Sequence, residues 1–103
     1  MSLAKRLPES VRLAIDRDPY YRYCARDSED CAGRITMEHA VTYAGKRINE
    51  LWAIIPLCER HHGLGEWFMN GSLLNKRKNM LIALRRAPEC ARRKYPKLPW
   101  HLV

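Results

Sequence analysis

Two segments of the chain carry apolar residues at the three- and four-residue spacing of an amphipathic helix. The first helix is predicted over residues 7–17, and Pro19 stops it from continuing. The second is predicted over residues 72–86, with Ser72 as its N-cap and Pro88 just beyond its end. The predicted buried stripe of the second helix consists of Leu73, Leu74, Leu81, Leu84 and the aliphatic stem of Arg77.

Between the two helices the pattern indicates turns and short strands. Residues 20–35 are rich in turn-forming Asp, Ser and Gly, which predicts a loop. Residues 34–40 include β-branched positions, and the apolar residues 52–57 form a run that Pro56 limits to a sheet edge or a strand end, so each segment predicts a strand. Residues 95–103 contain two prolines and are predicted to extend over the surface.

The size and composition are those of a single globular domain. The chain has 103 residues, of which 47% are hydrophobic and 29% charged, and this balance excludes a disordered chain and a fibre. The longest compact apolar run, residues 51–57, is far shorter than the roughly 20 residues that cross a bilayer. The N-terminus lacks the apolar stretch of a signal peptide. We therefore expect one α+β domain over residues 1–103, soluble and cytoplasmic, with no membrane partner.

The charges are distributed unevenly along the chain, whose formal net charge is +8. Residues 1–70 hold ten Lys or Arg and ten Asp or Glu, whereas residues 71–103 hold nine Lys or Arg against Glu89 alone. Such a basic segment is typical of a surface that binds a polyanion such as DNA, and a solvated face that only aids solubility is the alternative. The candidate phosphate contacts are Lys46, Arg47, Lys76, Arg77, Lys78, Arg85, Arg86, Arg92, Arg93 and Lys94.

Several aromatic residues could stack on nucleic-acid bases, but we assign them to core packing. No segment resembles a recognition helix that reads bases in the major groove, so the sequence predicts phosphate contacts without base specificity. The aromatic residues assigned to the core are Tyr20, Tyr21, Tyr23, Trp52, Trp67 and Phe68.

Cysteine and histidine spacing predicts a zinc site. Four cysteines could form two disulfides, but a reducing compartment favours metal binding. The spacing Cys58-x2-His61 lets two side chains bind one ion as the chain turns into a helix, and the pair Cys24 and Cys31 would complete a Cys3His set. The six residues between Cys24 and Cys31 exceed the usual two to four, so buried free thiols beside a surface histidine are the alternative. Cys90 is expected to be an ordinary free cysteine.

A second set of residues has the chemistry of phosphodiester hydrolysis. Glu38 and His39 end the first predicted strand, and His62 directly follows the predicted zinc ligand His61. Glu38 and His62 offer oxygen and nitrogen to a hard divalent cation, which leaves His39 to take a proton from water. A lone Glu-His pair is weak evidence, but its combination with Cys-x2-His-His after an apolar strand is more specific.

The stretch from Cys24 to His62 resembles the HNH (His-Asn-His) endonucleases. That family has a ββα-metal core of two strands and a helix, and a last histidine directly after a zinc knuckle. In this chain Glu38-His39 is similar to the first element of the family pattern, and Cys58-x2-His61-His62 is similar to the last. The resemblance implies a ββα-metal core over residues 24–62, with a structural zinc site and flanking helices at both ends.

The resemblance also implies a role for each matching residue. His39 would be the general base, while Glu38 and His62 would hold a catalytic Mg²⁺, Mn²⁺ or Ni²⁺. Asn49 would be the central Asn that orients His39, although capping of the short helical turn at residues 50–52 is an equally good interpretation. The structural Zn²⁺ would be held by Cys24, Cys31, Cys58 and His61.

These observations favour a small DNA endonuclease of the HNH type, a kind of enzyme often carried by phages and mobile elements. A zinc-containing module that binds nucleic acid without cutting it is the main alternative. A redox sensor that uses Cys24 and Cys31 is a weaker one. The sequence does not predict the oligomeric state.

Overall fold

The computed structural model of the protein describes residues 7–64 and 73–103. These residues form short helices and two small antiparallel sheets, which confirms the predicted α+β class. None of the described helices is long and apolar enough to span a membrane. The elements are α1 (Glu9–Arg17), β1 (Ile35–His39), β2 (Thr42–Tyr43), β3 (Lys46–Arg47), β4 (Ile54–Cys58), α2 (Glu59–His62), α3 (Leu73–Arg86), α4 (Glu89–Lys94) and 3-10 turns at Pro19–Arg22, Leu51–Ala53 and Trp100–Leu102.

Helix α1 covers most of the segment predicted at residues 7–17. Pro8 lies at the N-cap rather than inside the first turn, so the helix begins at Glu9. The predicted apolar side is the side that packs: Leu7 and Ile15 are buried in a small cluster with Tyr21 and Ile54. Helix α1 therefore packs against the 3-10 turns at Pro19–Arg22 and Leu51–Ala53 and reaches the first residue of β4.

Strands β1 and β4 form the sheet that carries the candidate site. They pair antiparallel, with Ile35 opposite Cys58 and His39 opposite Ile54. All five residues of β4 are buried, as its uninterrupted apolar run predicts. Pro56 fits in β4 because its carbonyl accepts from the Ala25 N–H, so its backbone nitrogen also faces away from β1 and no ladder hydrogen bond is lost.

A hairpin that the sequence analysis missed lies between β1 and β4. Strands β2 and β3 are joined by Ala44 and Gly45, whose φ angles are +52° and +78°. Two successive positive φ angles are the geometry of a type I′ turn, whose twist matches that of the flanking strands. The buried residues Val41 and Ile48 anchor the base of the hairpin, with the Ile48 N–H donating to the Val41 carbonyl at 3.1 Å. The hairpin returns the chain to the end of β1.

Helix α3 buries only the C-terminal part of the predicted stripe. Leu84 is buried and Leu81 packs against the core as predicted, whereas Leu73 and Leu74 are 87% and 64% exposed. The other buried residues of the helix, Asn79 and Ala83, were not predicted. The predicted N-cap Ser72 and the predicted core residues Trp67 and Phe68 lie outside the described residues.

The C-terminal segment differs from the extended surface tail predicted for residues 95–103. After the short helix α4, Leu98 and Trp100 are buried in the main core cluster together with Trp52. The Trp100 indole N–H donates to the Tyr95 carbonyl at 2.8 Å, which satisfies its one polar group inside the core. Tyr23, in contrast, was expected in the core and is 73% exposed.

Candidate metal centre and candidate active site

The four predicted zinc ligands converge at one end of the β1–β4 sheet. Cys24 and Cys31 come from the loop before β1, Cys58 ends β4, and His61 lies in α2. Their ligand atoms all lie within 4.8 Å of one another, and all except Cys31 are buried. The set is thus positioned to bind a metal ion, as the spacing predicted.

The distances within this cluster fit a tetrahedral zinc site. The His61 Nδ1 atom lies 3.1 Å from the Cys58 Sγ atom, 3.5 Å from that of Cys24 and 3.6 Å from that of Cys31. Zn–S and Zn–N bonds of ordinary length at tetrahedral angles place nitrogen and sulfur about 3.5 Å apart. Burial raises the pKa of the Cys24 thiol to about 11, so a metal that binds there would displace its proton.

The long spacing between Cys24 and Cys31 is accommodated by two consecutive turns. The Asp27 N–H donates to the Cys24 carbonyl at 3.0 Å, and the Cys31 N–H donates to the Ser28 carbonyl at 3.2 Å. Gly33 follows with a φ of +86°, and a Cβ atom there would lie 2.7 Å from the Glu59 side chain. The loop can therefore fold tightly against the start of α2, which brings both thiols to one point.

The far side of the His61 ring is held by an acidic residue. The His61 Nε2 atom lies 3.2 Å from the Asp30 carboxylate and 3.3 Å from the Ser28 hydroxyl. The Ser28 hydroxyl in turn donates to Asp30, which together with the nearby positive charge of Arg60 lowers the pKa of that carboxyl. A carboxylate on one ring nitrogen selects the tautomer whose other nitrogen ligates a metal, so Nδ1 faces the three thiols.

Three of the predicted site residues, Glu38, His39 and His62, line one cavity of about 210 Å³. Glu38 and His39 reach it from the end of β1, and His62 reaches it from α2. Arg47, on β3, lines the same cavity. Within the described residues, only the Cys3His set brings three or more ligand atoms as close as 4.8 Å, so the cavity residues surround a wider space.

Asn49 contacts His39 rather than capping the turn that follows it. The Asn49 Oδ1 atom lies 2.7 Å from the His39 Nε2 atom. The 3-10 turn at Leu51–Ala53 has Glu50 at its N-cap position and no side-chain cap hydrogen bond. Because the amide oxygen can only accept, the His39 Nε2 atom carries a hydrogen and donates it to Asn49.

The tautomer of His62 follows from Thr36, a residue that the sequence analysis did not single out. The Thr36 hydroxyl donates to the Leu57 carbonyl at 2.8 Å, and its oxygen lies 2.7 Å from the His62 Nδ1 atom. A hydroxyl has one hydrogen, so this oxygen accepts from Nδ1–H and leaves the lone pair on Nε2. Burial lowers the pKa of His62, which keeps the ring in its neutral, ligand-competent form.

Glu38 is an acidic residue in a poorly solvated position. Burial raises the pKa of its carboxyl to about 7, against the opposing effects of the Asn79 hydrogen bond and the Lys76 charge. The Asn79 amide nitrogen donates to the Glu38 Oε2 atom at 3.1 Å. Burial of this carboxylate beside a cavity costs solvation free energy. A bound cation would offset that cost, so the position is chemically suited to a cation.

We predict that Glu38→Gln stabilises the cation-free protein in a pH-dependent way. The folded-state pKa of about 7 exceeds the ordinary 4.5, so the folded protein retains a proton and loses stability as pH rises through this window. Glutamine can still accept from Asn79 and does not ionise. The stability advantage of the variant should therefore grow by about 2 kcal/mol between pH 5.5 and pH 8.

Denaturant unfolding of both zinc-loaded proteins at the two pH values measures this difference. Comparing the variant with the parent at each pH cancels the titration of the zinc ligands. An advantage that stays constant with pH would show that Glu38 is solvated like an ordinary surface carboxylate.

The candidate phosphate contacts fall into two groups. Three of them have packing roles: Arg86 lies over the Tyr20 ring at 3.6 Å, Arg92 lies over Trp100 at 5.5 Å, and Lys94 pairs with Glu50 at 3.2 Å. These contacts within the protein engage three side chains that were predicted to contact DNA phosphates. The exposed members of the remainder are Lys46, Arg47, Lys76, Arg77, Lys78, Arg85 and Arg93.

Comparison with known proteins supplies no relative from which a role could be transferred. No family model, no curated protein and no solved structure matches this chain. The resemblance to the HNH endonucleases therefore stays a prediction that rests on the residues and their geometry.

Proposed function

We propose that this protein is a metal-dependent endonuclease of the HNH type that hydrolyses DNA phosphodiester bonds. The observation that carries the proposal is the shared cavity of Glu38, His39 and His62, with Asn49 bound to the His39 ring. Strands β1 and β4 pair antiparallel, and α2 follows β4 directly. This order of elements is also that expected of a ββα-metal core.

His39 is the proposed general base. Its Nε2–H donates to Asn49, which restrains the ring. A neutral imidazole can take a proton from water as a general base. The role of Asn49 is then to keep this ring in one orientation and one tautomer.

Glu38 and His62 are the proposed ligands of the catalytic cation. One oxygen of Glu38 accepts from Asn79, and Thr36 holds His62 with the Nε2 lone pair available. When bound, a divalent cation supplies charge that polarises a phosphate and stabilises a leaving oxygen. Arg47 lines the same cavity, where its planar guanidinium could bind a non-bridging phosphate oxygen.

The proposed DNA-binding surface consists of exposed basic residues on α3 and on the β2–β3 hairpin. The charge of Lys76 opposes the rise in the pKa of Glu38, which indicates that the basic side of α3 lies close to the cavity. Lys46 and Arg47 lie on β3, and Arg47 lines the cavity. Contacts of this kind bring affinity and salt dependence without base specificity.

Plasmid nicking tests the proposal. Zinc-loaded protein in metal-free buffer should leave supercoiled plasmid intact, and added Mg²⁺, Mn²⁺ or Ni²⁺ should produce nicked product. Omitting the added cation is the proper control, because a strong chelator would also remove the structural zinc. If the protein retards plasmid in a gel but no cation produces nicking, the proposal fails and a non-catalytic DNA-binding module replaces it.

A further inference from the structure

Asn79 is a buried polar residue in α3, between the basic residues 76–78 and the apolar residues 80–84. It is 1% exposed, and it lies outside the 24–62 stretch that resembles the HNH family. Buried amides are costly unless their hydrogen bonds are made, so the partners of this one indicate what it does.

The hydrogen bonds of Asn79 join three parts of the protein. Its Nδ2 atom lies 3.1 Å from the Glu38 Oε2 atom and 3.5 Å from the His61 carbonyl oxygen. Its Oδ1 atom lies 3.2 Å from the Arg26 Nη1 atom. The amide is thus situated between a proposed ligand of the catalytic cation and the backbone of a zinc ligand.

The chemistry of these partners determines which way the amide points. The guanidinium of Arg26 can only donate, and the carbonyl of His61 can only accept. The opposite amide orientation would therefore place a donor against a donor and an acceptor against an acceptor. With the observed orientation, Asn79 has one direction in which to donate to Glu38.

We propose that Asn79 is a positioning residue that holds the Glu38 carboxylate toward the cavity, so that α3 forms part of the catalytic-cation site. The inference rests on the proposed function, because it needs Glu38 to be a cation ligand. It also means that a residue outside β1, β4 and α2 supports the cation site. The same amide ties that support to the backbone of the zinc cluster at His61.

Asn75 provides a matched control one helical turn earlier. Its Nδ2 atom donates to the His61 carbonyl at 2.9 Å, and its Oδ1 atom accepts from Arg26 at 2.6 Å. Asn75 thus shares two partners with Asn79. Asn79 in addition contacts Glu38, and the comparison measures the effect of that contact on cation binding.

The experiment measures Mn²⁺ binding to zinc-loaded wild-type, Asn79→Ala and Asn75→Ala proteins by electron paramagnetic resonance. We expect the Mn²⁺ dissociation constant to rise about 10- to 100-fold in Asn79→Ala, a range typical of lost outer hydrogen bonds to metal ligands. In Asn75→Ala it should stay within about twofold of wild type. Zinc content should be one per chain in all three. Asn79→Leu, which keeps most of the side-chain volume, replaces the alanine variant if that one does not fold.

The possible outcomes distinguish a failure of the role of Asn79 from a failure of the proposed function. If wild type binds Mn²⁺ and cleaves DNA but a folded Asn79 variant binds Mn²⁺ equally well, only the role of Asn79 is overturned. Equal losses in the Asn75 and Asn79 variants would also overturn it, because they would indicate general loosening of α3. If wild type binds no Mn²⁺, the cation site itself is wrong and both proposals fail.

Discussion

His39→Ala is expected to abolish detectable cation-dependent cleavage while leaving the fold, the zinc content and DNA binding unchanged. A positioned general base contributes about 10²- to 10⁴-fold to a rate. Alanine removes the imidazole ring and with it the contact to Asn49. His39 is the last residue of β1 and is half-buried.

Single-turnover cleavage of plasmid in saturating Mn²⁺ measures the effect. Circular dichroism, zinc analysis and gel retardation confirm that only the chemistry has changed. His101→Ala is the matched control, because His101 is exposed in the C-terminal turn and should retain the wild-type rate. Cleavage by a contaminant-free His39→Ala preparation at the parental rate would remove His39 from the proposed mechanism.

Cys58→Ser is expected to unfold the domain under conditions in which the wild type is folded. Structural zinc contributes an apparent 10–16 kcal/mol, roughly, in small zinc domains, which equals or exceeds the roughly 5–15 kcal/mol by which whole domains are stable. Cys58 is buried, accepts from the backbone N–H of His61 and ends the central strand β4. Its loss therefore removes a ligand and disrupts the junction between β4 and α2.

Thermal unfolding followed by circular dichroism, together with zinc analysis, measures this effect. Cys90→Ser is the matched control, because Cys90 is an exposed free cysteine and its variant should keep both the wild-type transition and the zinc. Removal of zinc from the wild type with a chelator should reproduce the Cys58→Ser behaviour. A Cys58→Ser protein that unfolds cooperatively at the wild-type temperature and contains no zinc would contradict a stabilising metal.

The two tests address different parts of the same short segment. His61 faces the three thiols through Nδ1, whereas His62 turns to Thr36 and the cavity. Adjacent residues in a helix point about 100° apart, so one helical turn can serve both centres. The structural centre thereby sets the position of the residue that the proposed reaction needs.

Whether a contact in this arrangement can be predicted from the sequence depends on how far apart its two residues lie in the chain. Cys58 and His61 belong to one turn, so local geometry alone brings them together and their spacing predicted the pair correctly. The apolar run that becomes β4 and the helical spacing that becomes α1 are local patterns as well, which is why both elements were predicted. The α+β class follows from the same kind of information.

Other contacts depend on how distant segments meet. Asn49 reaches His39 because the hairpin turn at Ala44 and Gly45 reverses the chain, and the sequence left capping as an equal interpretation. Asn79 lies 41 residues from Glu38, and only the packing of α3 on the sheet brings the two together. The available signal was weak: Asn79 directly precedes the apolar residues 80–84, and a polar residue on a buried face needs a partner.

The local spacing of cysteines, histidines and apolar residues was thus enough to name the metal ligands, the principal strands and the candidate base. The face on which α3 packs, the burial of Trp100, the tautomers of His39 and His62 and the orientation of Glu38 arise from contacts between residues far apart in the chain. Such contacts depend on which surfaces exclude water together, and this is a property of the assembled core rather than of any one segment.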